Sequence, residues 1–255
     1  MIKMKYAAVA AHTALGLLLC ATAPFAAASV SAGISMSNVQ FKVTDLTPND
    51  GQAGGIANVE QYSWISSTTE GPRDSQFYRD IRPATSSSTS PVSVTMAAST
   101  GVAGEVRSTS EVHGTEFVYS SAVQDSYFSL LPHTSITVSW HTDGFVQTDA
   151  ALADGHAGAD ALMYFYRRNT FDYLQYASTL ITSSDYPNGT TYSRDFRISY
   201  ANNTDTAMPI QWRSEVSSDG RAMLPVPEPE SYAMLGAGLA LIGLVARRRQ
   251  RRRQG

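Results

Sequence analysis

Phe128-Ser129-Leu130-Leu131-Pro132-His133-Thr134-Ser135-Ile136-Thr137-Val138-Ser139-Trp140 decides the fold of this chain. In its second half Ile136, Val138 and Trp140 are apolar, and Thr137 and Ser139 between them carry hydroxyls. Successive side chains of a strand point to opposite faces, so this period of two predicts a strand with one face in a core and one in water. Pro132 fixes the backbone of the turn that leads into it.

Outward from that stretch the pattern recurs. Val39, Phe41 and Val43 alternate with Gln40, Lys42 and Thr44, and the run stops at the turn cluster Thr47-Pro48-Asn49-Asp50-Gly51. Tyr62 and Trp64, Val92 and Val94, Phe117 and Tyr119, then Phe196, Ile198 and Tyr200, and finally Ile210 and Trp212 alternate in the same way. Leu162 to Tyr166 is continuously apolar or aromatic, which predicts a strand covered on both faces. No long run outside the termini has a period of 3.6. The expectation is a mostly β domain over residues 29–216, an antiparallel β-sandwich of jelly-roll-like form, with a barrel as the alternative. Thr85 to Pro91 reads as a loop, Gln147 to Ala161 as a loop or short helix, and 217–225 as a linker.

The two ends differ from this middle. Lys3 and Lys5 precede an apolar stretch from Ala7 to Ala23, and Ala26-Ala27-Ala28 supplies small residues at Ala26 and Ala28 for cleavage. Residues 1–28 therefore read as a secretory signal peptide, with the cut after Ala28 and Ala32 as the alternative. Cys20, the only cysteine, lies inside it, so the mature chain has no disulfide and no thiolate chemistry. Roughly 200 residues remain, enough for one domain with a sizeable core. Residues 29–226 carry 11 basic and 20 acidic residues, a formal net charge of −9. That balance argues against nucleic acid as a partner.

At the other end Pro227-Glu228-Pro229 is followed by an uncharged run from Ser231 to Ala246. Arg247, Arg248, Arg249, Arg251, Arg252 and Arg253 then close the tail. As a helix the apolar run reaches roughly 24 Å, enough to span a thin bilayer if the arginines snorkel. The arginines belong on the cytoplasmic side, leaving the preceding domain outside. This order over 226–255 resembles a PEP-CTERM sorting signal, the tail recognised in Gram-negative bacteria by exosortase. Pro227, Glu228 and Pro229 match its tripeptide, Gly236, Gly238, Leu239 and Leu241 its helix, and Arg247 to Arg249 its basic end. The resemblance covers about thirty residues. It implies passage through the inner membrane, a transient C-terminal transmembrane helix, an exosortase-like membrane protease as partner, and delivery to the cell surface or extracellular matrix. Asp45 to Gly51 and Phe128 to Thr134 are also similar to segments of proteins in that group, without implying an activity.

Motifs with chemistry are few. The sequence has no Gly-x-Ser-x-Gly elbow, His-Glu-x-x-His, phosphate loop or EF-hand spacing. Asp149, Asp154 and Asp160 in a Gly-rich stretch have the hard oxygens Ca²⁺ prefers, but in no familiar spacing, so no metal or other cofactor is expected. Asp45, Asn49 and Asp50 read as side-chain caps of a turn, and His141 and Asp143 are close neighbours. Tyr164, Phe165, Tyr166, Phe171, Tyr173 and Tyr176 crowd one region, either as packing or as stacking platforms for sugar rings. The expected function is non-enzymatic. It is a structural or adhesive role in biofilm or exopolysaccharide, with a carbohydrate- or calcium-binding module as the alternative.

Overall fold

The computed structural model describes residues 29–71, 73–148, 155–168 and 172–222, together with Gly238, Leu239 and Ile242. Its strands are β1 (Val30–Asp45), β2 (Ile56–Thr68), β3 (Arg73–Tyr78), β4 (Pro83–Ser90), β5 (Ser93–Thr100) and β6 (Val106–Val112). They continue with β7 (Phe117–Leu130), β8 (Thr134–Thr148), β9 (His156–Arg167), β10 (Asp172–Thr182), β11 (Thr190–Asn202) and β12 (Met208–Arg221). They form two six-stranded sheets: β11-β8-β1-β6-β5-β4, here sheet A, and β10-β9-β12-β7-β2-β3, here sheet B. Every pairing is antiparallel. The expected mostly β, antiparallel architecture is thus present.

The inward faces of both sheets share one core, which includes Ile34, Ile136, Val138 and Trp140 from sheet A and Ile65, Phe165, Ile210 and Trp212 from sheet B. The opening stretch behaves as its pattern dictates. Ile136, Val138 and Trp140 are buried, and Thr137 and Ser139 face outward. His133, at φ 50°, turns the chain from β7 into β8. The cluster after β1 is a turn capped as expected: Thr47 N–H donates to Asp45 Oδ1 (2.9 Å), and Gln52 N–H donates to Asp50 Oδ1 (2.8 Å).

Three expectations are corrected. Thr85 to Ser90 is not a loop but most of β4, with Ser86 and Ser88 turned inward. Their hydroxyls are satisfied inside: Ser86 Oγ donates to the Asp74 carbonyl (3.0 Å), and Ser88 Oγ lies 3.1 Å from Thr69 Oγ1. Of the loop or short helix expected from Gln147 to Ala161, 147–148 are strand in β8 and 156–161 are strand in β9, while 149–154 lie outside the described residues. Of the linker expected over 217–225, residues 217–221 are strand. Ser218 and Gly220 face the core on β12, which ends at Arg221, and Ala222 is still buried. Leu162 to Tyr166 is a strand as expected, with Met163 and Phe165 buried inside and Tyr164 covered on the outer face by neighbouring rings.

The core itself is uneven. Between β6, β7 and β12 it is built of serines: Ser108, Ser110, Ser120 and Ser218 are buried and mutually bonded, with Ser108 to Ser120 at 2.6 Å and Ser110 to Ser218 at 2.9 Å. Buried hydroxyls are costly unless paired, and each of these four is paired. Nearby, Gln124 is fully buried, accepting from Gly104 N–H (2.6 Å) and donating to Ser99 Oγ (2.9 Å).

Candidate functional site

The outer face of sheet B carries the densest group of exposed rings. Odd-numbered residues of β12 and β7 face outward, and the register lines up Tyr176, Tyr164, Arg213, Asp125 and Tyr62 across five strands. The row beside it runs Tyr173, Tyr166, Gln211, Tyr127 and Glu60. On the other side Val123, Trp64 and Phe77 follow one another. Aromatic side chains suit a pleated surface, where cross-strand neighbours support each ring.

Two ring clusters result. Tyr62 stacks on Phe77 with centroids 5.9 Å apart and meets Tyr127 edge-on at 5.6 Å. Tyr164 meets Tyr173 at 5.1 Å and Tyr166 at 6.0 Å, and Tyr173 meets Tyr176 at 6.1 Å. These separations are in the range that favours aromatic pairs. The outermost rings stay in solvent: Trp64 is 46%, Phe77 62%, Tyr173 62% and Tyr176 64% exposed.

A charged centre separates the clusters. Arg213 donates to both oxygens of Asp125, Nε to Oδ1 at 2.7 Å and Nη2 to Oδ2 at 2.8 Å, and Gln211 Nε2 adds a bond to Oδ1 (2.8 Å). This fork geometry is the strong form of an ion pair, and Asp125 holds the guanidinium's pKa well above its ordinary value. Arg168 lies over the Tyr127 ring, 4.7 Å from its centroid. Burial pushes the Tyr164 phenol up to about 12 and raises that of Tyr127, so both stay neutral. Flat apolar ring faces beside fixed hydrogen-bonding groups can hold a ligand that is itself apolar on its faces and hydroxylated at its edges. Of the ring residues singled out from sequence, Tyr164, Tyr166, Tyr173 and Tyr176 are brought together here, Phe165 is in the core, and Phe171 lies outside the described residues. Tyr62, Phe77 and Tyr127 were not singled out; the Tyr62/Trp64 alternation was the one signal that could have added them.

Sheet A presents a different outer face. His141 Nδ1 lies 2.7 Å from Asp195 Oδ1, while its Nε2 lies 3.1 Å from both Asp143 Oδ1 and Ser193 Oγ. Asp195 and then Asp143 raise the imidazole pKa above its ordinary value. Although a serine, a histidine and an aspartate are aligned here, they sit on an open strand surface. Beside them is a shallow concavity of about 410 Å³ floored by Gly33. A Cβ on Gly33 would come within 2.5 Å of the Phe145 ring, so glycine lets that ring lie across β1.

The other expected positions separate. Asp160 sits on the outer face of β9 opposite Leu180 and Ser217, its pKa raised by burial and by Glu215. Asp149 and Asp154, the cleavage residues Ala26 and Ala28, the tripeptide Pro227, Glu228 and Pro229, and Arg247 to Arg253 lie outside the described residues. No cluster of three or more metal-ligating side chains occurs among the described residues. No described helix is long and apolar enough to cross a membrane.

Comparison with known proteins assigns the tail. Residues 225–252 match the family model of the PEP-CTERM protein-sorting motif. The chain is thus a protein bearing a PEP-CTERM sorting motif, which implies recognition by exosortase, export, and transient anchoring in the membrane before cleavage. No curated protein matches the sequence significantly. Among solved structures, a carbohydrate-binding module of the β-sandwich superfamily aligns at 11% identity over 76% of this chain and 96% of the other, with a TM-score of 0.13.

Proposed function

We propose that the exported domain is a non-enzymatic envelope or extracellular-matrix protein that adheres to exopolysaccharide through the aromatic face of sheet B. The observation that carries this reading is the band of solvent-exposed rings around the Arg213–Asp125 pair. Exposed aromatic side chains in this number are costly to leave in water and mark interaction surfaces. Sugar rings offer C–H faces that stack on Trp64, Phe77, Tyr173 and Tyr176, and hydroxyl edges that reach Gln211, Glu60 and Arg168.

Routing supports the same reading, since the sorting tail implies export of the domain. The fold is of the jelly-roll kind in this reading. The order β6-β1-β8-β11 facing β7-β12-β9-β10 is the four-over-four arrangement of two Greek keys, with the chain's first strand filling the position its last would normally hold. Val30 and Ala32 are fully buried on β1, which favours signal cleavage after Ala28 over cleavage after Ala32.

The test is affinity electrophoresis of residues 29–226 through gels containing the producing strain's exopolysaccharide. The wild-type domain should be retarded, and the triple variant Trp64→Ala/Tyr173→Ala/Tyr176→Ala should lose retardation while keeping its melting temperature. Equal migration of the two in every polysaccharide gel would refute the binding face. The routing is tested by the mature mass in the native host. Wild type should lose both termini, and Pro227→Ala/Glu228→Ala/Pro229→Ala should keep its arginine tail.

A further inference from the structure

An opening between the sheets lies at the end of the sandwich near the His133 turn. It is made by two matching irregularities. In β1 the register against β8 slips between Ser37 and Gln40, where Asn38 is left-handed at φ 54°. In β2 the register against β7 slips between Ala57 and Glu60, where Asn58 is left-handed at φ 54°. Asparagine is the side chain that tolerates this conformation best after glycine, and such bulges bend the strand that carries them. β1 and β2 belong to opposite sheets, so the two bends lie on the two lips of one opening.

Parity makes the opening unusual. Phe41 pairs with Val138, Val43 with Ile136, and Ile56 with Leu130, and each of these partners is a core residue at or below 1% exposure. Side chains directly opposite on a ladder share a face, so Phe41, Val43 and Ile56 point between the sheets. Yet they are 40%, 39% and 42% exposed, and Val59 in the second bulge is 50% exposed. These are inward-facing side chains of a core left unclosed. They enclose a cavity of about 260 Å³ against Phe128 and Trp212.

Trp212 adds the chemical instruction. Its ring is fully buried, meets Phe41 edge-on at 5.0 Å, and lines this cavity. Its indole N–H has no acceptor among the described residues. Indole donors are normally paired when buried, because a lost hydrogen bond there is costly. No basic residue among those described lines the cavity, and the domain's charge is strongly negative, so an anionic ligand is disfavoured.

We infer that this opening is a second binding site, which takes a neutral medium-chain acyl or alkyl group carrying one hydrogen-bond acceptor for Trp212 Nε1. Its volume suits on the order of nine non-hydrogen atoms, at about 30 Å³ each. The site lies on the inner side of sheet B, across the same strands from the aromatic face, and its test does not depend on polysaccharide binding.

The core of the described residues lies within 30–222, so the test uses the region 29–226 that contains it. It is titrated with 1-octanol, with octanoate and with n-octane, following tryptophan emission in a Trp64→Phe background. Octanol should produce a saturable, one-to-one change in emission. Octane and octanoate should bind at least fivefold more weakly, the first lacking the acceptor and the second carrying a charge. Trp212→Phe, read by calorimetry, should bring octanol down to the level of octane. Val59→Arg at the exposed lip should abolish binding of all three while leaving the melting temperature unchanged. No saturable change with octanol, or octanol binding untouched by Val59→Arg, overturns the proposal. It is equally overturned if sedimentation finds a dimer that Val59→Arg dissolves and no octanol uptake, because the occupant is then a second copy of the chain.

Discussion

The two outer faces of the sandwich are built on the same six-stranded scaffold and do opposite things with it. Sheet A turns hydroxyls and ion pairs to solvent, among them Thr137–Ser199 and His141–Asp195, each partnered across one strand gap. Sheet B turns out rings, joined across strands and braced by a fork-shaped ion pair that is only 31% and 13% exposed. Strand pairing therefore does not dictate what a face offers. The outward parity of each strand carries that information separately from the inward parity that builds the core.

The largest expected difference between the faces is in binding. Removing Trp64, Tyr173 and Tyr176 should lower polysaccharide affinity at least tenfold by affinity electrophoresis, since stacking contacts of this kind contribute on the order of 1 kcal/mol each. Arg107→Ala and Ser193→Ala beside the concavity on sheet A should leave it unchanged. Loss of binding from the sheet A changes would reverse the assignment of faces. Next in size is the brace. Asp125→Ala leaves Arg213 part-buried with only Glu215 at 3.8 Å and strips Gln211 of its acceptor, so it should cost ~2–3 kcal/mol in denaturant unfolding. A midpoint like that of wild type would mean that the ion pair contributes nothing to the ring face.

Smaller effects follow from protons. Burial and Glu215 raise the Asp160 carboxyl above its ordinary value of 3.8, so its folded pKa exceeds its unfolded one. The folded state then favours the protonated acid, and stability is lost as pH rises through the raised value. Asp160→Asn should melt higher than wild type at pH 7, with the gain vanishing near pH 3; an unchanged melting temperature at pH 7 would contradict this. On sheet A, Asp195 and Asp143 raise His141 above its ordinary 6.5. That stabilisation is complete below about pH 6.5 and is lost as pH rises through the higher folded value. His141→Gln should therefore lower the melting temperature at pH 5.5 and not at pH 8.5, a small shift because the pair is screened. A shift equal at both values would assign the loss to packing instead of charge.

The strands legible in the sequence are those whose inward residues are large and apolar, such as Ile136 to Trp140 and Phe196 to Tyr200. β4 and β6 were missed because their inward positions include Ser86, Ser88, Ser108 and Ser110, which hydropathy reads as solvent-facing. What qualifies them for the interior is a set of hydroxyl partners from distant strands, and no local pattern encodes that. The ring face was half legible for a related reason. Tyr164 to Tyr176 crowd the chain locally, whereas Tyr62, Phe77 and Tyr127 join them only through the register of β2, β3 and β7. Likewise Asp125 and Arg213 meet across 88 residues, and His141 and Asp195 across 54.

β12 remains part of the sandwich as far as Arg221, with Ala222 still buried behind it. Only five steps of chain then separate Ala222 from Pro227, no more than roughly 18 Å when fully drawn out. That is a short leash. Any protein that engages the tripeptide therefore works close to the end of the domain formed by Arg221, Phe117 and His156. The fourteen residues of β12 rise about 45 Å, so the Met208 end, with its parted lips, is the end of the domain farthest along β12 from the point where the chain leaves for the tail.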